Sequence, residues 1–218
     1  KVLCEIARKH NCLTIVDAVT SLGGVELNVD DWGIDAVYSG SQKCLSCVPG
    51  LSPVSFSEQA ASVIKNRSSA VQSWFLDQSL VMEYWSGQGK RSYHHTAPVN
   101  SLYALHESLV VLQNEGLENS WQRHQTQHEK LATGLQSLGL DFIVPKNERL
   151  PQLNAVHIPQ GIDDAKVRQF LLNEYNLEIG AGLGQFSGSA WRIGLMGYAA
   201  RNENVLLCLA ALKEALAQ

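Results

Sequence analysis

Cys12-Leu-Thr-Ile-Val16, closed by Asp17, is a continuous apolar, β-branched run. Such runs form strands buried on both faces, and this one implies a parallel sheet. Ahead of it, Lys1 to His10 carries Val2, Leu3, Ile6 and Ala7 at helical spacing, with Asn11 ending the helix. Behind it, Ile34-Asp-Ala-Val-Tyr38 predicts a second strand, and Ser39-Gly-Ser-Gln-Lys43 lies just past that strand's carboxyl end. Pro53 to Ser57 predicts a third strand and Glu58 to Lys65 a short helix. The pattern is α/β. The opening helix has no Met, N-cap residue or capping box ahead of it, so Lys1 reads as lying inside a helix. The expectation is a chain that lacks an N-terminal part.

Further along, Asn66 to Pro98 is irregular and aromatic, with Trp74, Phe75, Tyr84, Trp85 and Tyr93 scattered through it. Long loops of this kind serve a site or an interface. Ser101 to Asn114 places Leu102, Leu105, Leu109 and Leu112 at three- and four-residue steps, with Gly116 as the cap, and Leu117 to Leu138 predicts another helix. Short elements follow: strands at Phe142 to Val144, Ala155 to Ile158 and Trp191 to Gly194, a helix from Asp163 to Tyr175 capped by its Asp pair, and a last helix from Asn202 to Ala217. This part is α+β in style. The expected division is residues 1–115 as part of a larger α/β domain and residues 116–218 as a smaller C-terminal domain.

Of the 218 residues, 45% are hydrophobic and 17% charged, with a net charge of −4. An ordinary soluble domain has about 25% charged residues. There is no basic excess to neutralise phosphates, which excludes a nucleic-acid partner. The low charge suits a surface covered by a partner subunit or by an absent piece of chain, because interface cores are depleted in charge. The five cysteines, at 4, 12, 44, 47 and 208, are odd in number and scattered, as in a reducing compartment. No run approaches the ~18 apolar residues of a membrane helix, so no membrane partner is expected.

Open α/β sheets bind ligands outside the carboxyl ends of their strands, where both Asp17 and Lys43 are expected. An acid and an amine in one crevice suit pyridoxal phosphate: the amine forms a Schiff base, and the acid keeps the ring nitrogen protonated so that the ring is an electron sink. On spacing alone two plainer readings stand beside this one, Asp17 as the N-cap of a following helix and Lys43 as an exposed loop residue. Arg192 is a charge set in the apolar run Ala190-Trp-Arg-Ile-Gly-Leu195; it binds an anion or sits in a buried ion pair. Cys44-Leu-Ser-Cys47 has the C-x-x-C spacing without a second pair, and reads as incidental thiols. His124 and His128 lie one helical turn apart without the H-E-x-x-H pattern, so a solvated polar face is expected there and no metal site. His94 and His95 are expected to position their loop. Gly180-Ala-Gly-Leu-Gly184 misplaces its third glycine for a dinucleotide turn and reads as a flexible turn beside the substrate.

Val16-Asp-Ala-Val-Thr-Ser-Leu-Gly-Gly24 and Tyr38-Ser-Gly-Ser-Gln-Lys-Cys-Leu-Ser-Cys-Val-Pro-Gly50 resemble the class V aminotransferases of fold type I. Ser92-Tyr-His-His-Thr-Ala-Pro98, Gly116-Leu-Glu-Asn-Ser-Trp121 and Trp191-Arg-Ile-Gly-Leu-Met-Gly197 are similar to the glyoxylate-using members, so the resemblance spans essentially the whole chain. It implies the C-terminal part of a large mixed or parallel-sheet cofactor domain followed by a small α+β domain. It implies pyridoxal 5'-phosphate as cofactor, with Lys43 as the Schiff-base lysine, Asp17 on the ring nitrogen, Val19 against the ring and Gln42 beside the lysine. Tyr93 and Thr96 would contact the cofactor phosphate of the neighbouring subunit in a homodimer, and Arg192 would hold the substrate carboxylate. The implied reaction moves an amino group from alanine or serine to glyoxylate. A 3-hydroxykynurenine or other serine–pyruvate-type transaminase is the alternative within the family, and an inactive, cofactor-free fragment or interaction protein is the alternative outside it. A cysteine desulfurase would need a His where Gln42 stands. The resemblance implies a peroxisomal enzyme, although Leu216-Ala-Gln218 is not an S-K-L address, which leaves mitochondria or cytosol as alternatives.

Overall fold

A computed structural model describes residues 1–86 and 92–217. The chain divides into two compact units, one made of residues 1–19, 28–41 and 48–107 and the other of residues 20–27, 42–47 and 108–218. Among the described residues no helix is long and apolar enough to cross a membrane.

The first unit holds helix α1 (Val2–Lys9), strands β1 (Ile15–Asp17), β2 (Ala36–Tyr38) and β3 (Val54–Phe56), and helices α2 (Glu58–Lys65) and α3 (Gln78–Ser86). Helix α4 (Val99–Glu115) gives residues to both units. β1 and β2 are parallel, as the apolar runs imply, whereas β3 joins β2 antiparallel and makes the sheet mixed. Asp35 ties the three strands together. Its Oδ2 accepts the Thr14 N–H at 2.9 Å and the Thr14 hydroxyl at 3.1 Å, and its Oδ1 accepts the Ser57 hydroxyl at 3.0 Å. Burial opposes its charge, yet these donors and the Arg8 cation hold the carboxyl below the ordinary aspartate value. Ser57 also caps α2 by accepting the Ala60 N–H at 3.1 Å.

Two expectations are corrected in this unit. The run through Ile15 is a strand, but among the described residues it is not buried on both faces: β1 lies at the edge of the sheet they form, and Ile15 is 77% exposed. The stretch from Asn66 to Pro98 is less irregular than its composition predicts, since it contains a short 3-10 turn at Trp74–Leu76 and the whole of α3. Residues 87–91 of that stretch lie outside the described residues, as does Gln218.

The second unit is built on α5 (Leu117–Ser137), β4 (Leu153–His157), α6 (Asp164–Tyr175), β5 (Gly180–Ala181), β6 (Ala190–Gly194) and α7 (Asn202–Ala215). The three strands form an antiparallel sheet in the order β4-β6-β5. Alternation along β6 sends Trp191 and Ile193 into a core with Leu131, Leu135, Leu171 and Leu212. Asp163 caps α6 by accepting the Lys166 N–H at 3.1 Å, and Asn176 closes it in the left-handed conformation at φ +49°. Gly116, at φ +88°, makes the turn between α4 and α5 that a side chain would strain. Phe142 to Val144 does not form the expected strand; it makes a single antiparallel bridge, Phe142 to Val156. Gly180-Ala181, expected as a free turn, is paired to β6.

Candidate active site

Asp17 ends β1 opposite Tyr38 on the parallel β2, and so stands at the carboxyl edge of the first unit's sheet. Its Oδ1 accepts the Val19 backbone N–H at 2.9 Å and its Oδ2 accepts the Tyr38 hydroxyl at 2.9 Å. Two donors on two oxygens fix the plane of the carboxylate while leaving it exposed. The bond to Val19 is a turn bond, and the next helix begins only at Glu58, so Asp17 is not a helix N-cap. The backbone behind it is fastened as well: the Ala18 N–H donates to the Tyr38 carbonyl at 2.9 Å, and the Ser39 hydroxyl donates to the Ala18 carbonyl at 2.9 Å. Hydrogen bonding to Asp17, then desolvation and the carboxylate's charge, push the Tyr38 phenol above the usual tyrosine range. Tyr38 is a neighbour of Asp17 that its own sequence context does not reveal. The register carries the signal, because two parallel strands ending together set residue 38 beside residue 17.

Tyr93 and Thr96 are both exposed, with their hydroxyls 2.5 Å apart. Their loop is anchored from behind by His94, which is buried, stacks on Trp74 with ring centroids 4.1 Å apart, and bonds the Trp74 carbonyl through Nε2 at 3.0 Å. The Nδ1 atoms of His94 and His95 meet at 2.8 Å.

Gln42, Lys43 and Arg192 belong to the second unit. Gln42 is exposed, and Lys43 is half-buried at the head of a turn closed by the Ser46 N–H on the Lys43 carbonyl at 3.0 Å. Among the described residues no carboxylate lies within ion-pair distance of Lys43 or of Arg192. That removes the buried ion pair as the reason for Arg192. Its Nε donates to the Ala181 carbonyl at 2.7 Å, which aims the guanidinium and leaves both Nη groups without a hydrogen-bond partner among the described residues. Gly180 lies against it: a Cβ there would come within 3.4 Å of Nη2.

Burial pushes the Cys44 thiol up to about 11, so it stays protonated at neutral pH, and all five cysteines are free. His124 and His128 do not form a solvated face; both are buried on the inner side of α5. Burial lowers both imidazole pKa values, and each ring finds a specific partner, His128 Nδ1 meeting Asn154 Oδ1 at 2.7 Å. Among the described residues no group of three His, Cys, Asp or Glu could hold a metal ion.

Asp17, Val19, Tyr93 and Thr96 thus fall in the first unit, and Gln42, Lys43 and Arg192 in the second. Chemically the set contains an oriented anion for a cationic ring N–H, paired hydroxyls for phosphate oxygens, an amine free of carboxylate, and a guanidinium with donors to spare. This donor set fits pyridoxal phosphate together with a substrate carboxylate.

Residues 1–203 match the family model described as aminotransferase class-V. The chain is 42% identical to alanine–glyoxylate aminotransferase of Rattus norvegicus, over 97% of this chain and 52% of that protein. It is 38% identical to (S)-ureidoglycine–glyoxylate transaminase of Bacillus subtilis, over 99% of this chain and 56% of that protein. A crystal structure of alanine–glyoxylate aminotransferase from Nostoc sp. superposes with a TM-score of 0.94 at 46% identity, covering 98% of this chain and 56% of the other. The chain therefore spans about half the length of the curated relatives it matches, and its architecture is that of the fold type I aminotransferases.

Proposed function

We propose that this chain, which belongs to the class V aminotransferase family, works in a pyridoxal-phosphate-dependent transaminase that moves an amino group from alanine or serine onto glyoxylate. The observation that carries this reading is Arg192. Arg192 is half-buried, and its guanidinium is aimed by one backbone bond and paired with no acid among the described residues. Amino donor and oxo acceptor share a carboxylate next to the reacting carbon, and a planar fork of donors binds that group bidentately. Glyoxylate is favoured as acceptor because it stands in the names of relatives whose donors differ.

Pyridoxal phosphate, when bound, supplies an electron sink for a carbanion. Lys43 would hold its aldehyde carbon covalently, with Gln42 beside it, while Asp17 keeps the proton on the ring nitrogen and Val19 packs against the ring. Tyr93 and Thr96 would donate to the phosphate of the neighbouring subunit in a homodimer, which their exposure supports. With an amino donor bound, the Lys43 Nζ would serve as general base and acid, taking the proton from the substrate Cα and giving it back. Peroxisomal residence is proposed on the family resemblance and is tested by imaging a fluorescent fusion of the full-length protein.

The test uses the full-length protein loaded with pyridoxal phosphate. Lys43→Ala should abolish the visible absorbance of the bound cofactor and lower kcat by on the order of 10³-fold or more; an unchanged spectrum sinks the assignment. Arg192→Lys should raise KM for donor and acceptor together, by about tenfold or more. Donors should be ranked by kcat/KM with alanine, serine, 3-hydroxykynurenine and (S)-ureidoglycine. Co-expressing Lys43→Ala chains with Thr96→Ala chains should raise activity above the mean of the two variants if sites are shared across a dimer.

A further inference from the structure

The turn after β6 is built into the backbone that carries Lys43. Gly197 sits at φ +54°, a conformation that favours glycine, and a Cβ there would lie 1.9 Å from Ser46 Oγ, 3.0 Å from the Cys44 carbonyl and 3.2 Å from the Lys43 carbonyl. The next residue donates its own N–H, Tyr198 to Ser46 Oγ at 2.8 Å. Ser46 is itself left-handed at φ +59°, a strained choice for a non-glycine residue that closes the Lys43 turn.

Two side chains hold Gly197 in place. Its N–H donates to Nε2 of the buried His124 at 2.9 Å, and its carbonyl accepts from Arg123 Nη1 at 2.7 Å. Arg123 also bonds the Ala200 carbonyl at 3.1 Å and is clamped bidentately by Glu115, at 2.5 and 2.9 Å. Because His124 Nε2 accepts, its proton resides on Nδ1, which donates to the Ser120 carbonyl at 2.7 Å. Burial disfavours the charged ring and keeps it in this acceptor form. The Ser120 hydroxyl continues the chain of bonds to the Gly23 carbonyl at 2.7 Å. Three residues before Gly197, β6 ends, and Arg192 lies on that strand.

Resting on the reading of Lys43 and Arg192 given above, we propose that His124 and Gly197 are positioning residues: through Ser46 they hold the turn that presents the Lys43 amine, at a fixed place relative to the strand that presents the Arg192 guanidinium. His124 serves as a neutral hydrogen-bond acceptor and touches neither cofactor nor substrate. The arrangement explains three otherwise costly features together: a buried imidazole, a glycine with no room for a Cβ, and a left-handed serine.

The experiment uses the full-length holoenzyme, loaded with pyridoxal phosphate, fixed with borohydride and digested, so that the fraction of the Lys43 peptide carrying reduced cofactor is read by mass. Steady-state kinetics with alanine and glyoxylate and thermal unfolding are measured alongside. His124→Leu leaves the Gly197 N–H unmet and should lower both the labelled fraction at limiting cofactor and kcat, the latter by about ten- to a hundredfold, with KM for alanine within about twofold of wild type. His124→Gln restores an acceptor and should recover most of the loss. Gly197→Ala should be worse, and adding Ser46→Gly, which removes the closest clash, should regain part of it. If Gly197→Ala does not fold, the His124 pair decides alone. Wild-type labelling and kcat in His124→Leu overturn the proposal, as does a lowered Tm with kcat per folded molecule unchanged or with no rescue by Gln. A wild-type protein unlabelled at Lys43 overturns instead the reading of the function on which the proposal rests.

Discussion

The two units each carry a three-stranded sheet, and they use it differently. In the second unit, alternation along β4 and β6 buries one face completely, with Val156 and Trp191 wholly enclosed and α5, α6 and α7 completing the core. In the first unit the strands are three residues each, and Ile15, Tyr38 and Val54 are exposed. Polar ties at Asp35 and Asp17 organise that sheet in place of a large apolar core. A sheet can therefore be held in register by hydrogen bonds to a few carboxylates, but the stability that burial confers, roughly 1.5–3 kcal/mol per large side chain, is concentrated in the other unit.

The sharpest break would come from Leu135, which has no exposed surface. Leu135→Ala should destabilise by about 2–5 kcal/mol in thermal or urea unfolding. A cost under about 1 kcal/mol would show that the second unit is not packed as described. Next comes Asp35→Ala, expected to cost about 2 kcal/mol through lost charge-assisted hydrogen bonds, and to remove protection from amide exchange in β1 and β2 while leaving β4 and β6 protected. The same group sets a pH dependence. Its carboxyl is held below the ordinary value, so its stabilisation is complete above the unfolded aspartate pKa of about 3.9 and is lost as the pH falls through the lower folded value. Acid should accordingly loosen the first unit, and Asp35→Asn should flatten that limb of the stability profile.

Smaller effects sharpen the contrast. Tyr38→Phe removes one of the two donors to Asp17; kcat should fall by about tenfold or less with little change in Tm, read from parallel kinetics and unfolding. The smallest is Ile15→Ala. At 77% exposure it should change stability by no more than about 0.5 kcal/mol, although its sequence context reads as core. A cost comparable to Leu135→Ala would mean that β1 is covered after all.

The two units also differ in how much of each is legible in adjacent residues. Helix α2 runs from Glu58 to Lys65 as read, because Ser57 is a strong cap signal and Asn66 ends the periodicity. The Asp pair before α6 acts the same way. Local chemistry of that kind is written in adjacent residues. By contrast, the exposure of Ile15 depends on how many strands and layers surround β1, which its own apolar run cannot report. The burial of His124 and His128 is not written in their own stretch of sequence, because a polar residue on a helix is polar whichever way it faces, and only the partners Ser120, Gly197 and Asn154 make an inward orientation tolerable. Position at a strand's carboxyl end marks Asp17 and Lys43, and the expense of a charge among apolar neighbours marks Arg192; neither signal marks Tyr38, whose bond to Asp17 arises from pairing between strands.

The alternation on β6 has one more outcome. Trp191 and Ile193 insert into the core, and the Trp191 indole N–H is secured by Asp164 Oδ1 at 2.8 Å. Arg192, between them, is thereby turned the other way. A slip of one residue along β4 would drive a guanidinium into hydrocarbon and expel an indole, so selection against misfolding and selection for anion binding act on the same parity. Single-residue insertions or deletions within Ala190–Gly194 should then be far more harmful than the same changes in the turn at residues 184–189, where the chain can absorb a change of length without inverting a face.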